Sequence, residues 1–206
     1  MSARYNPRKE HNVRRRAAFK QPKKTFLIVC EGENTEPEYF NAFRLTSATV
    51  KAVGKGLGTT SLVREAIAIR DEAARRGKTF DFCWVVFDKD DYNDFDEAII
   101  LAQENGFSVA YSNQAFELWF LLHFKAYRGA LDMTRYGSLL TKHLGVDYSK
   151  RSGFAATLYN ILKPLQDVAI RNAKSLQDEM KDIKPSMAES STRVHELVMQ
   201  LNEFVD

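Results

Sequence analysis

Short apolar runs that end in acidic residues alternate along this chain with stretches of helical period. Residues 25–30 (TFLIVC) form a run of strand length that stops at Glu31-Gly32. A helix is expected over about 36–45, with Thr35 and Glu38 spaced as a capping box and Pro37 in the first turn. Residues 48–53 read as a short strand, and the glycine-rich residues 54–60 lead into a helix over about 61–76. A second strongly apolar run, residues 82–87, ends in Asp88 and Asp90. Asp94 and Glu97 repeat the capping-box spacing before a helix that stops at Gly106, and residues 107–111 make a fourth strand. Strands alternating with helices predict an α/β fold with a small parallel sheet and crossover connections.

Beyond Ser112 and Asn113, which are placed to cap the next helix, the strand signal stops. FELWFLLHF (residues 116–124) is apolar almost all round and is expected to be a buried helix. Helices are predicted over 133–144, 154–162 and 165–183, with Gly145 and Pro164 as breaks, and over a last segment carrying Val194, Leu197, Val198 and Leu201. The expected organisation is an arm at 1–24, an α/β core at 25–112 and a helical extension at 113–206 packed on that core. The 206 residues are 44% hydrophobic, enough for a core. No run reaches membrane-span length and no apolar leader core follows the N-terminus, so a cytoplasmic protein is expected. Cys30 and Cys83 fall inside predicted strands and read as buried thiols of a reducing compartment.

The net charge of +3 conceals an asymmetry. Residues 1–24 hold nine Lys and Arg against one acid, a net of +8, which leaves −5 for the remainder. This segment, with Arg14, Arg15 and Arg16 at its centre, has no apolar period and is expected to be disordered when free. Such arms attract nucleic acid without regard to sequence, although a solubilising tail or a dock for an acidic protein has the same composition.

The chemistry concentrates where the strands end. Glu31 projects from the carboxyl end of a buried strand, where open α/β sheets bind ligands. Glu36 lies in the first turn of the helix that follows, a position that also suits the helix dipole. Asp88 and Asp90 face one side if the strand end stays extended. Glu117 sits on the buried helix just past the fourth strand, where a carboxylate must be paired, neutral or part of a site. Carboxylates this close repel by roughly 4 kcal/mol per pair at 4 Å with an effective dielectric near 20. They call for protonation, cations or a metal, and an all-oxygen donor set suits Mg²⁺ or Mn²⁺. An EF-hand is excluded: counting from Asp88, position six is Asn93 and position twelve is Ile99. The glycine loop lacks the Gly-Lys-Ser/Thr of a P-loop, but Lys55 and its neighbouring amides are a candidate phosphate contact beside the plainer reading of a connection. His123 reads as a core histidine.

A strand ending in Glu-Gly followed by a strand ending in Asp-x-Asp resembles the TOPRIM domain. EGENTEPEYF, SNQAFELWFLLHF and STRVHELV, in that order from about Thr25 to the end, resemble the RloB family more specifically. The chain departs from that pattern at Gln114-Ala115, where a proline and a small residue are expected. The resemblance implies a TOPRIM-like metal-dependent nuclease acting on RNA, tRNA included, or DNA, and an effector of bacterial antiphage or abortive-infection defence beside an ATPase partner. Glu31, Asp88, Asp90 and Glu117 would be catalytic, with Glu31, Glu36, Asp88 and Asp90 on Mg²⁺ or Mn²⁺. Arg14, Arg15, Arg16, Lys55, Lys174 and Arg193 would face nucleic acid, Lys174 or Arg193 steadying transition-state charge as a basic residue does in related metal nucleases. Two further classes fit the same residues: a binding module that holds metal and nucleic acid without cutting, and an interaction subunit whose carboxylates meet arginines of an ATPase. Homo-oligomerisation is left open.

Overall fold

A computed structural model describes residues 23–52, 58–89 and 93–205. Strands β1 (Phe26–Cys30), β2 (Ala48–Ala52), β3 (Phe82–Asp88) and β4 (Ser108–Ser112) form an all-parallel sheet in the order β2-β1-β3-β4. Helices α1 (Thr35–Asn41), α2 (Thr59–Arg75) and α3 (Phe95–Glu104) connect successive strands. Helices α4 (Glu117–Leu122), α5 (Arg135–Leu144), α6 (Phe154–Leu162), α7 (Gln166–Glu179) and α8 (Val194–Asn202) complete the chain. The fold is thus α/β, a small parallel sheet flanked by helices with a helical C-terminal part.

Every residue of β1 is buried, as both faces of the sheet are covered. Alternation sends Phe26, Ile28, Trp84, Val86 and Ala110 into a core shared with α1 and α4–α8. It sends Leu27, Val29, Val85, Phe87 and Val109 into a second core against α2 and α3. All six residues of α4 are buried. The outer edge of β4 is closed by the segment before α8. Ser112 bridges Thr192 antiparallel, the Asn113 amide donates to the Ser191 carbonyl at 2.8 Å, and the Arg193 amide donates to the Tyr111 carbonyl at 2.8 Å. The STRV stretch thereby satisfies a sheet edge that would otherwise expose its ladder.

Neither capping box forms, and the reason is the same for both: a tertiary partner claims the side chain. Thr35 is already helical and no side chain caps α1, while Glu38 Oε1 accepts the Gly153 amide at 2.6 Å. Asp94 Oδ2 accepts the amide and hydroxyl of Thr60 at 2.8 and 2.7 Å, so it caps α2 from across the fold. Ser112 and Asn113 do not cap α4 either. Ser112 ends β4, Asn113 Nδ2 donates to the Pro185 carbonyl, and α4 starts only at Glu117. Cys30 is buried, Cys83 half-buried, and both are free thiols. Among the described residues no helix is long and apolar enough to cross a membrane.

Candidate functional site

The register of β1 against β3 sets the site. Cys30 lies beside Val86, and the Glu31 amide extends the ladder by one bond to the Val86 carbonyl, at 2.9 Å. Glu31 Oε2 in turn accepts the Asp88 amide at 3.3 Å, joining the two strand ends through a side chain. Asp88 is the last paired residue of β3, opposite Ser112 of β4, and it follows Trp84 and Val86 onto the face covered by α1 and α4. Both of those helices begin there, and their first turns bring Glu36 and Glu117. A pocket of about 270 Å³ opens between them, lined by Glu36, Asp88, Glu117, the Gly32–Thr35 turn, Phe116 and Lys150. Glu31, 4% exposed, is not on its wall and acts through the Asp88 amide.

Two backbone features shape this end of the sheet. A Cβ on Gly32 would fall 1.9 Å from Glu36 Oε2, so only glycine lets the Glu36 carboxylate lie against the turn. Gln114, between β4 and α4, has φ 89°, a left-handed conformation that proline, locked near −65°, cannot adopt. The proline expected at this position would therefore not fit the turn that this chain forms.

The electrostatics are those of crowded carboxylates under apolar cover. Burial, then the fields of Glu36 and Glu117 and, less strongly, that of Glu31, hold the Asp88 carboxyl well above the usual aspartate range, the Phe116 amide working against them. Asp88 Oδ1 is sealed from solvent and has no hydrogen-bond partner among the described residues. Burial and Glu36 likewise push the Cys30 thiol up. Glu117, 2% exposed, is held at Oε1 by the Tyr148 hydroxyl at 2.7 Å and the Lys150 ammonium at 2.6 Å. Burial draws the Lys150 pKa down, but Glu117, Asp88 and Glu36 outweigh it and the net shift is upward. Tyr136 is buried nearby with its hydroxyl unpartnered among the described residues, its pKa raised by burial and by Asp88 and Glu117.

Tyr136, Tyr148 and Lys150 have no counterpart among the expected site residues. The signal for Lys150 was the YSKRSG stretch before α6, a basic and polar segment between two helices. It reaches the site because Glu38 grips the Gly153 amide and Thr141 Oγ1 accepts the Tyr148 amide at 2.9 Å.

Glu36, Asp88 and Glu117 come together, with Glu31 directly beneath. Asp90, Lys55, Arg14, Arg15 and Arg16 lie outside the described residues. Arg193 caps α8 by position and pairs with Glu196 at 2.8 Å, and Lys174 is exposed on α7; neither lines the carboxylate pocket. His123 Nδ1 lies 2.9 Å from the Trp119 carbonyl, and burial presses its pKa down to about 4, as for a neutral core imidazole. The start of α2 already carries the Asp94 carboxylate on the Thr60 amide, which leaves less room there for a phosphate than the glycine loop suggested.

The donor set tests well against a hard divalent cation. The acidic donors on the wall, Glu36, Asp88 and Glu117, stand with the amide and hydroxyl oxygens of Asn34 and Thr35, and Asp88 offers a buried oxygen that no hydrogen bond uses. Among the described residues no three His, Cys, Asp or Glu side chains already surround a common metal position. Mg²⁺ commonly takes only one or two carboxylates from a protein and keeps several waters, so the fit rests on Asp88 and Glu36 alone among the described residues.

The family model for RloB-like protein matches residues 26–201. The chain belongs to the RloB-like family. The match runs from the first residue of β1 into α8, so the RloB-like segment contains both acidic strand ends, the buried helix α4, the Tyr148–Lys150 loop and the strip that closes β4. Comparison with curated proteins and with solved structures returned no match.

Proposed function

We propose that this RloB-like protein is a divalent-metal-dependent nuclease that hydrolyses phosphodiester bonds of RNA or DNA. The observation that carries the reading is Asp88: an aspartate at the carboxyl end of a central strand, with one oxygen sealed and unpartnered, among Glu31, Glu36 and Glu117. Asp88 and Glu36, with Asp90, would hold Mg²⁺ or Mn²⁺, and Glu31, expected from the sequence as a further ligand, would position Asp88 from beneath. Bound there, the ion supplies Lewis acidity and lowers the pKa of a coordinated water.

The chain's own groups divide the remaining work. Glu31 fixes the Asp88 main chain by accepting its amide. Gly32 admits the Glu36 carboxylate to the pocket edge. Tyr148 holds Glu117 in one orientation, and Lys150, its side chain 65% exposed, brings a positive charge to the pocket wall where a phosphate would enter. Lys150 replaces Lys174 and Arg193 as the basic residue of this reading. The resemblance read from the sequence motifs extends this proposal to an effector of antiviral defence, and, as the sequence carries no P-loop motif, any ATP dependence would come from a partner ATPase.

A non-catalytic metal- or nucleic-acid-binding subunit is the second reading. It draws on the Glu117–Lys150 ion pair, which neutralises part of the pocket. One assay separates the two: purified protein with RNA and DNA substrates in Mg²⁺ or Mn²⁺, beside EDTA and folded Glu31→Gln and Asp88→Asn variants. Metal-dependent cutting that both variants lose is the expected result. Cutting that persists in both variants would remove the site assignment, and binding without cutting, in the presence of the partner ATPase as well, would favour the second reading.

A further inference from the structure

A second pocket lies at the opposite end of the sheet from the carboxylates. It has a volume of about 590 Å³ and is lined by Lys23, Lys24, Arg44 and Lys163, with Tyr159 and Phe204. Lys24 is paired with Asp81 at 2.7 Å, whereas Lys23, Arg44 and Lys163 form no ion pair among the described residues. The Lys163 ammonium stands 5.8 Å from the Tyr159 ring centroid. Arg44 has φ 55°, in the left-handed region where glycine closes a helix end at no steric cost. An arginine placed there puts a guanidinium on the pocket wall at the expense of backbone comfort.

Helices α1 and α6 join the two pockets. They pack side by side and run the same way: the Glu38–Gly153 bond ties their beginnings beside the carboxylates, and Ala42–Leu45 and Tyr159–Lys163 bring their ends to the basic pocket. The nine residues of α6 (FAATLYNIL) include no acid, and they rise about 13 Å. Lys150 and Arg151 precede this neutral helix and Lys163 follows it.

We propose that the basic pocket is a subsite for the phosphate backbone of a single-stranded nucleic acid, and that the α1–α6 surface is its track to the carboxylate pocket. The choice of ligand rests on the nuclease reading. Positive charge at both ends of an uncharged helix fits a chain of evenly spaced single charges better than a clustered acidic peptide.

The test measures fluorescence anisotropy of labelled single-stranded RNA and, separately, DNA, with full-length protein in EDTA over a range of salt. Arg44→Gly/Lys163→Ala removes two charges, and glycine keeps the φ of Arg44 comfortable. Arg75→Ala/Arg76→Ala removes two exposed charges, from the last residue of α2 and the one that follows it, as a control. The first variant is expected to bind roughly 20-fold more weakly at 0.1 M salt, with a salt slope shallower by about 1.4, since each phosphate contact on a single strand contributes about 0.7. The control should bind as wild type does. Equal loss in the control, no loss in the pocket variant, or preferential capture of poly-glutamate by the wild type would each overturn the subsite. The RNA and DNA arms show which backbone it takes. Cleavage run in parallel keeps the two ideas apart. Wild-type cutting lost in Asp88→Asn, with unchanged binding by the pocket variant, removes this inference alone. Weakened binding by the pocket variant, with no cutting by any protein in the presence of the partner ATPase as well, removes the nuclease reading alone.

Discussion

Helices α2 and α3 cover one face of the sheet with Leu62, Val63, Ala66, Ala98, Ile99 and Ala102, a layer that packs and does little else. The other face is covered by Tyr39, Phe116, Trp119 and Phe120, with Trp119 Nε1 donating to the Tyr39 hydroxyl at 2.8 Å, and at its rim sit Glu36, Asp88 and Glu117. Buried polar atoms occur on both faces. On the first, Asp94 Oδ2 caps Thr60 while its Oδ1 is buried without a partner among the described residues. On the second, Asp88 Oδ1 and the Tyr136 hydroxyl are buried without partners among the described residues, a pattern that costs about 1–3 kcal/mol for each such group. One face is packing with a single capping carboxylate, and the other gathers its carboxylates at one rim.

If the faces divide the work in this way, damage to the first should reach stability alone. Leu62→Ala, in a fully packed position, is expected to cost about 3 kcal/mol in denaturant unfolding and to leave kcat per folded molecule unchanged. A parallel fall in kcat would show that the faces are coupled. The converse substitution is Gly32→Ala. Gly32 has no left-handed φ, so alanine fits its backbone, but the new Cβ would meet the Glu36 carboxylate and move it by more than an ångström. A displacement of that size costs on the order of 100-fold in rate, about 2.7 kcal/mol, and the unfolding free energy should change by less than about 1 kcal/mol. A cleavage assay and a melting curve on the same preparation decide it: normal activity would mean that Glu36 is a dipole partner of α1 and no more.

This division was partly legible in the chain. Apolar runs that break off at Glu31 and Asp88 place two carboxylates at neighbouring strand ends, since buried parallel strands have a fixed direction and a fixed ligand-binding edge. Glu117 stood out because a charge on a helix that is apolar all round has few innocent explanations. Local spacing was a poorer guide to the caps, because Glu38 and Asp94 are engaged by Gly153 and Thr60, 115 and 34 residues away along the chain. Lys150 and Tyr148 were hidden for the same reason. They lie in a segment without periodicity, and it is the Glu38–Gly153 bond, a tertiary contact, that delivers them to Glu117.

The unpartnered oxygen of Asp88 gives the comparison a pH dependence. Burial and the neighbouring carboxylates raise its pKa, so the folded protein keeps a proton at pH values where the unfolded chain has released it. Stability contributed by that proton is complete below the ordinary aspartate pKa and is lost as pH rises through the raised folded value. Asp88→Asn removes the dependence and should gain about 2 kcal/mol at neutral pH without divalent metal, the order of a relieved buried polar group. It should also lose any rise in Tm that Mg²⁺ gives the wild type. Unfolding measured across pH, with and without Mg²⁺, tests both. A variant less stable than wild type at neutral pH would mean that Asp88 is already compensated.

The smallest expected effect is the most local one. The Tyr148 hydroxyl and the Lys150 ammonium both reach Glu117 Oε1, so Glu117 has two donors on one oxygen. Burial and the repulsion from Glu117 keep the phenol protonated, which makes it a donor throughout the working pH range. Tyr148→Phe keeps the ring and its edge-on contact with Phe154 but removes that donor. Lys150 can take up the freed lone pair because its exposed side chain moves readily, so the loss in stability should be about 1 kcal/mol, below the full value of a hydrogen bond to a charged group. The informative readout is the combination with Lys150→Met. If Tyr148 and Lys150 share Glu117, the double variant should lose more than the two single losses added together, since only then is a buried carboxylate left without either donor. Additive losses would mean that each residue acts on its own, Tyr148 in packing and Lys150 in solvent.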